Sequence, residues 1–247
     1  MMKRLIAVML SIFALANVAH ATEAVSFRAS DGGTVYGDVY PASGPAAKAT
    51  LLLFHQAGSN RSEYATIAPR LSGLGYNVLA IDQRAGGNLW GHANQTVTAR
   101  GGSASFLDAL PDLEGALTYA TETWHGVPVV AWGSSYSASL VFFLAARHPD
   151  QIAGVLSFSP GEYFAGVSVV QQAAKVRCPV FITSAPVPGE IAAAKSLSDA
   201  IPGPQNTDFI PRQGVHGSAT LREDSNPTGA PQIWSAVDEF LIALNKR

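Results

Sequence analysis

From residue 50 onward the chain alternates short, almost wholly apolar β-rich runs with segments of helical period, and that alternation leaves few folds open. The runs are TLLLFH (50–55), NVLAID (77–82), VPVVAW (127–132), IAGVLSFS (152–159), PVFITSA (179–185) and TDFIPRQ (207–213). A strand covered on both faces loses the in–out alternation of a half-exposed strand and reads as a nearly continuous apolar run. Helical periodicity predicts helices over about 62–73, with Ser62 as candidate N-cap, and over 106–123, 135–147, 189–199 and 231–245. Pro111 is tolerated at a helix start and not inside one, so the second of these is expected to begin near it. Each helix falls between two strands or after the last, which predicts an α/β fold: a mostly parallel sheet with helices on both faces. Ahead of it, VSFRA and TVYGDVY flank Asp31-Gly32-Gly33 and read as an N-terminal antiparallel hairpin.

The N-terminus is built differently. Lys3 and Arg4 precede the apolar run LIAVMLSIFALANVA, and Ala19-His20-Ala21 supplies small residues where a signal peptidase cuts. Residues 1–21 are therefore expected to be a cleaved signal peptide, and residues 22–247 a single domain in the periplasm or secreted. The apolar run is short for a span of about 20 residues, so no stable membrane insertion is expected after cleavage. With 47% hydrophobic and 14% charged residues, the rest can bury a large core. Cys178 is the only cysteine, so no intrachain disulfide forms, and its place before an apolar run predicts a buried structural residue. A net charge of −2, a pI near 6.3 and no Lys/Arg cluster argue against a nucleic-acid partner. Nothing in the sequence sets an oligomeric state.

Three segments carry chemistry. In AWGSSYSAS, a strand stops on Gly133 and a helix follows, the arrangement that displays a nucleophilic serine at Ser135. Small residues two before and two after the nucleophile let strand and helix approach. Gly133 fits, and Ser137, where a second glycine is usual, is still small. A Ser-capped helix after an ordinary strand is the plainer alternative. Earlier, LLLFHQAG ends a strand on His-x-x-Gly, a turn that can supply one backbone N–H of an oxyanion hole from Ala57 or Gln56, with Tyr136 supplying the other. His55 reads as structural within that turn. Near the C-terminus, GVHG places His216 between glycines after the last strand, where a general base can bend over the nucleophile.

With these motifs in this order, the chain resembles the α/β-hydrolase superfamily, and within it the small, lidless dienelactone-hydrolase-like esterases, over residues 50 to 245. The resemblance implies a serine hydrolase with a Ser-His-acid triad and no cofactor. In most members an Asp follows the strand corresponding to PVFITSA, but this chain reads PVPGEIAAAKSL there. A second position, after the preceding strand, reads LSFSPGEYF. Glu162 is the preferred acid on this basis, Glu190 the alternative, and Asp208 a distant third. Glu190 is expected instead to begin a helix, where the dipole favours a carboxylate.

The long stretch 84–105, rich in Gly, Asn, Thr and Ser, reads as a functional or mobile loop. Trp90 within it, together with Tyr163 and Phe164, either walls an apolar substrate pocket or packs in the core. With no room for a large cap domain, a small carboxylic ester is the expected substrate, cleaved through an acyl-enzyme. A peptidase, thioesterase or amidase on the same triad, and a non-catalytic binding protein of the same fold, are the rivals.

Overall fold

The computed structural model describes residues 22–203 and 206–246; the expected signal peptide lies outside the described residues. The hairpin is β1 (Glu23–Arg28) and β2 (Thr34–Tyr40), turning at Gly32 with φ +88°. Then come β3 (Thr50–Phe54), α1 (Ile67–Gly73), β4 (Asn77–Asp82), α2 (Gln95–Arg100), α3 (Leu110–Thr123), β5 (Val129–Ser134) and α4 (Tyr136–Arg147). The chain continues through β6 (Ile152–Phe158), α5 (Val169–Ala173), β7 (Val180–Thr183), α6 (Pro188–Ala200), β8 (Asn206–Phe209) and α7 (Ala230–Leu244).

The strands form one sheet in the order β1-β2-β4-β3-β5-β6-β7-β8. β1–β2 and β2–β4 pair antiparallel, and the rest of the sheet is parallel. Side chains alternate across it, so a single strand feeds two cores. Leu52 and Phe54 pack with Leu113, Ala116, Leu140 and Leu144 of α3 and α4. Leu51 and Leu53 face the other way, to Ile67 and Leu71 of α1 and Ile233 and Val237 of α7. Because both faces are covered, β3, β4 and β5 are buried along their whole length.

Several boundaries differ from expectation for identifiable reasons. The helix expected from 62 is a 3₁₀ turn, Arg61–Tyr64, followed by α1, and Asn60 rather than Ser62 caps the turn by accepting from Ser62 N–H. Pro111 is the second residue of α3. β8 stops at Phe209, short of Pro211, which has no N–H for a ladder. The 84–105 stretch contains α2, capped by the Asn94 side chain, which accepts from Val97 N–H, and closed by Gly101 at φ +84°. No described helix is long and apolar enough to cross a membrane.

Candidate active site

The parallel strands end on one side of the sheet, and β5 delivers Ser135 there. Ser135 has φ +59° and ψ −122° between the last residue of β5 and the first of α4, a conformation that costs a non-glycine residue about 1–3 kcal/mol. Ser135 N–H donates to Phe158 C=O at 2.8 Å, holding the turn against β6. A Cβ on Gly133 would run into the Ser137 carbonyl, so the glycine is required by the close strand–helix approach. Ser137 is more than a small residue. Its hydroxyl donates to His55 C=O at 2.6 Å and accepts from the Gln83 side chain at 2.9 Å, tying α4 to the ends of β3 and β4.

His216 enters from the loop between β8 and α7 and faces Ser135, with Nε2 2.8 Å from Ser135 Oγ. On its other edge, Nδ1 lies 2.9 Å from Glu190 Oε1. This corrects the sequence-based preference for the acid. Glu162 is exposed and turned away from the histidine; its carboxylate accepts from Val169 N–H at 2.7 Å, Val170 N–H at 3.0 Å and the Ser168 hydroxyl at 3.2 Å, capping α5. Asp208 lies on edge strand β8 near Lys195.

Glu190 occupies the first turn of α6, after Pro188 and Gly189, and Oε2 accepts from Ala185 N–H at 3.0 Å. Burial raises its carboxyl pKa, but hydrogen bonds from His216, Ser159 and Ala185 together outweigh burial, leaving it below the ordinary carboxylate value. The first-turn dipole acts in the same sense. An ionised carboxylate on Nδ1 keeps the imidazole proton there and leaves Nε2 free to accept from the serine.

The oxyanion turn is selected by its own hydrogen bonds. His55 is fully buried, and its Nε2 accepts from Gln83 N–H at 2.9 Å, so its proton sits on Nδ1 and donates to Gln56 C=O at 2.8 Å. Burial pushes the His55 pKa down, consistent with the neutral ring. Gln56 C=O also accepts from Ser59 N–H at 3.2 Å. In a trans peptide the N–H opposes the C=O, so fixing this carbonyl fixes the Ala57 N–H on the other side. Gln56 N–H is occupied, donating to Glu63 Oε2 at 2.8 Å. Of the two sequence candidates, Ala57 keeps a free donor and Gln56 does not. Tyr136 N–H opens α4, so no intrahelical acceptor exists for it, and it supplies the second free donor.

The aromatic residues divide. Tyr163 donates its hydroxyl to Ser159 C=O at 2.9 Å. With Phe164 it walls a cleft of about 480 Å³ formed by residues 104–108 and 163–165. Phe106, on the facing wall, stacks on the Tyr136 ring at 4.5 Å, which brings the cleft beside the elbow. Phe164 also meets Phe143 edge-on in the core. Trp90 is not in this wall. It donates to Ser59 Oγ at 3.0 Å and covers the Arg222 guanidinium at 4.1 Å, a packing role. Cys178, expected to be buried, is half-buried, and burial pushes its thiol up to about 12.

Three serines went unread in the sequence. Ser159, at φ +59° just beyond β6, accepts from Gly217 N–H at 2.9 Å. Ser134 accepts from Ser218 N–H at 2.8 Å, and Ser218 Oγ accepts from Trp132 Nε1 at 2.9 Å. Each lies beside a named motif residue, but nothing local distinguishes such a serine from an ordinary one. Among the described residues, no three His, Cys, Asp or Glu side chains cluster as metal ligands would.

Fold and site together define a serine hydrolase of α/β-hydrolase architecture. The chain belongs to the family described as serine aminopeptidase, S33, whose model matches residues 45–199. Among solved structures it is similar to the esterase Pf2001 of Pyrococcus furiosus, with a TM-score of 0.71 at 16% identity, covering 95% of this chain and 97% of that one. It is equally similar to the dienelactone hydrolase of Anabaena variabilis, with a TM-score of 0.71 at 16% identity, covering 90% and 97%. Est1E of Butyrivibrio proteoclasticus, solved with ferulic acid bound, has a TM-score of 0.69 at 14% identity, covering 90% and 99%. No curated protein sequence matches the chain.

Proposed function

We propose that the protein is an exported carboxylesterase that cleaves a small ester through an acyl-enzyme. One observation carries this reading: the chain of hydrogen bonds from Ser135 Oγ to His216 Nε2 (2.8 Å) and from His216 Nδ1 to Glu190 (2.9 Å). Ser135 Oγ attacks the ester carbonyl carbon as His216 takes its proton, and Glu190 stabilises the imidazolium. The carbonyl oxygen becomes an oxyanion held by Ala57 and Tyr136 N–H. Collapse expels the alcohol, which takes the proton from His216. Water, deprotonated by the same ring, then attacks the acyl-enzyme, and the carboxylic acid leaves with Ser135 restored.

The cleft beside Ser135 supports a small, largely apolar group, because Phe106, Leu107, Tyr163 and Phe164 face it and Asp108 is its one charged wall residue. The names of the structural neighbours, esterases and a dienelactone hydrolase, favour an oxygen ester. The family's description as aminopeptidase favours a peptide bond, so both belong in the test. Export rests on residues 1–21 alone, and cleavage after Ala21 is read by N-terminal sequencing of periplasmic or secreted protein. A panel of p-nitrophenyl esters, thioesters and amino-acid anilides separates the chemistries. Short-chain esters should turn over fastest, and Ser135→Ala should abolish both turnover and labelling by a fluorophosphonate. Anilides turned over faster than esters would make the enzyme a peptidase, and labelling that survives Ser135→Ala would refute the nucleophile.

A further inference from the structure

The triad uses Glu190 and leaves a second carboxylate, Glu63, fully buried in the turn Arg61–Tyr64. Burying a charge is costly unless every acceptor site is well used. Here Oε2 accepts from Gln56 N–H at 2.8 Å and Oε1 accepts from the Ser134 hydroxyl at 2.6 Å. Burial, the largest influence, raises the Glu63 pKa; the Ser134 and Gln56 hydrogen bonds and the charge of nearby Arg222 oppose that rise. Both hydrogen-bonding neighbours donate, one to each oxygen, so a proton on the carboxyl would find no acceptor in either of them.

These bonds join the moving parts of the proposed reaction. Gln56 precedes the oxyanion donor Ala57, and Ser134 precedes the nucleophile. Because the Ser134 proton is committed to Glu63, its oxygen is left to accept Ser218 N–H, two residues beyond His216. On the other side of the histidine loop, Gly217 N–H donates to Ser159 Oγ at 2.9 Å. Two consecutive N–H groups after His216 are thus held by serines at the ends of adjacent strands, and the Ser134 hydroxyl is oriented by Glu63. A Cβ on Gly217 would collide with Ser134 Oγ, which shows how closely the loop is drawn onto that serine.

We propose that Glu63 is a positioning residue that sets the spacing of Ala57 N–H, Ser135 Oγ and the His216 ring without touching substrate. The inference rests on the serine-hydrolase reading. Its perturbation is Glu63→Gln. A carboxamide offers one acceptor and one donor, so if its oxygen keeps Gln56 N–H, its NH₂ meets Ser134 Oγ. The Ser134 proton then loses its acceptor, and any rotation that relieves this disturbs the Ser218 N–H bond that anchors the histidine loop.

The test measures kcat and KM on p-nitrophenyl acetate and the rate of Ser135 labelling by a fluorophosphonate, on protein shown folded by near-UV circular dichroism. Glu63→Gln should lower kcat and labelling about 10–100-fold, the scale of a small misplacement of reacting groups, with KM within about twofold. Ser134→Ala, which removes the Glu63–Ser134–Ser218 link but leaves Glu63 on Gln56 N–H, should lower kcat by less. The double variant should lose no more than Glu63→Gln alone, because both act on one network. Wild-type kcat in folded Glu63→Gln, or a change confined to KM, overturns the proposal. Should Glu63→Gln not fold, Ser134→Ala decides, and an unchanged kcat and labelling rate overturns it. Failure of the hydrolase reading would show instead in the wild type, as neither turnover nor labelling.

Discussion

Glu190→Gln should cost about four orders of magnitude in kcat while leaving the fold in place, and the size of that loss follows from where the carboxylate's two oxygens are committed. Oε1 faces His216 Nδ1 at 2.9 Å, and Oε2 accepts from Ala185 N–H at 3.0 Å, a backbone donor that cannot rotate away. A glutamine has one oxygen, and Ala185 N–H claims it. The NH₂ group is then presented to Nδ1, which must become an acceptor, so the ring proton moves to Nε2. That nitrogen lies 2.8 Å from Ser135 Oγ, and once protonated it can donate to the serine but cannot take its proton. A triad held in the wrong tautomer loses about 10⁴ in kcat, equivalent to about 5.4 kcal/mol of transition-state stabilisation. Glu162→Gln is the matched control: it weakens the cap of α5 by about 1 kcal/mol and leaves kcat unchanged. Initial rates on a p-nitrophenyl ester near pH 7.5 and 25 °C (assay conditions of about these values suit His as base), with near-UV circular dichroism to verify folding, provide the comparison. Glu190→Gln within about tenfold of wild type, or Glu162→Gln losing orders of magnitude, would refute the tautomer argument.

Ser137→Gly restores the more usual elbow residue, yet it should destabilise the protein by about 1–3 kcal/mol, because His55 C=O and the Gln83 amide lose a buried partner. Urea unfolding with an unchanged m-value measures this, and equal or greater stability in the glycine variant would contradict it. Asp31 is held down at about pKa 2, first by its hydrogen bonds from Arg84. Its folded value lies below the ordinary 3.8, so its contribution is present above about pH 4 and fades as pH falls toward 2. Asp31→Asn should lower stability near neutrality by at most about 1 kcal/mol, since the side chain is 44% exposed, and the gap should close on acidification; a gap that widens would reverse the sign.

What could be read from the sequence was whatever neighbours along the chain decide. β3, β4 and β5 declare themselves because burial on both faces forces apolar residues at every position. Ser135 and His216 are likewise local, Ser135 preceded by Gly133 and His216 set between Gly214 and Gly217. The short helix α2 carried its own signals, Asn94 before it and Gly101 after it, but six residues are too few for a period to stand out. Which of Gln56 and Ala57 keeps its N–H free was not decidable locally, since Gln56 N–H is lost to a glutamate seven residues away that only the folded turn brings back. Trp90 was equally opaque: its partner, Arg222, comes from the far end of the chain.

The acid shows why such a choice resists sequence reasoning. The sequence ranks Glu190 second to Glu162 because a carboxylate at a helix start has a sufficient structural explanation in the dipole. In the fold the two roles reinforce each other. Pro188 and Gly189 start α6 directly after β7, so the first helical turn hangs over the same sheet edge that presents Ser135, and its third residue reaches His216. The groups that keep Glu190 ionised as a helix-start residue, Ala185 N–H and the dipole, are those an acid partner needs if it is to hold the imidazole proton on Nδ1. Glu162 satisfies the dipole of α5 in a similar way, with two backbone N–H groups, but α5 begins where the histidine loop does not pass. Both glutamates stabilise a helix start, then, and what separates acid from cap is which helix start lies beneath His216, a fact of tertiary placement that no local pattern encodes.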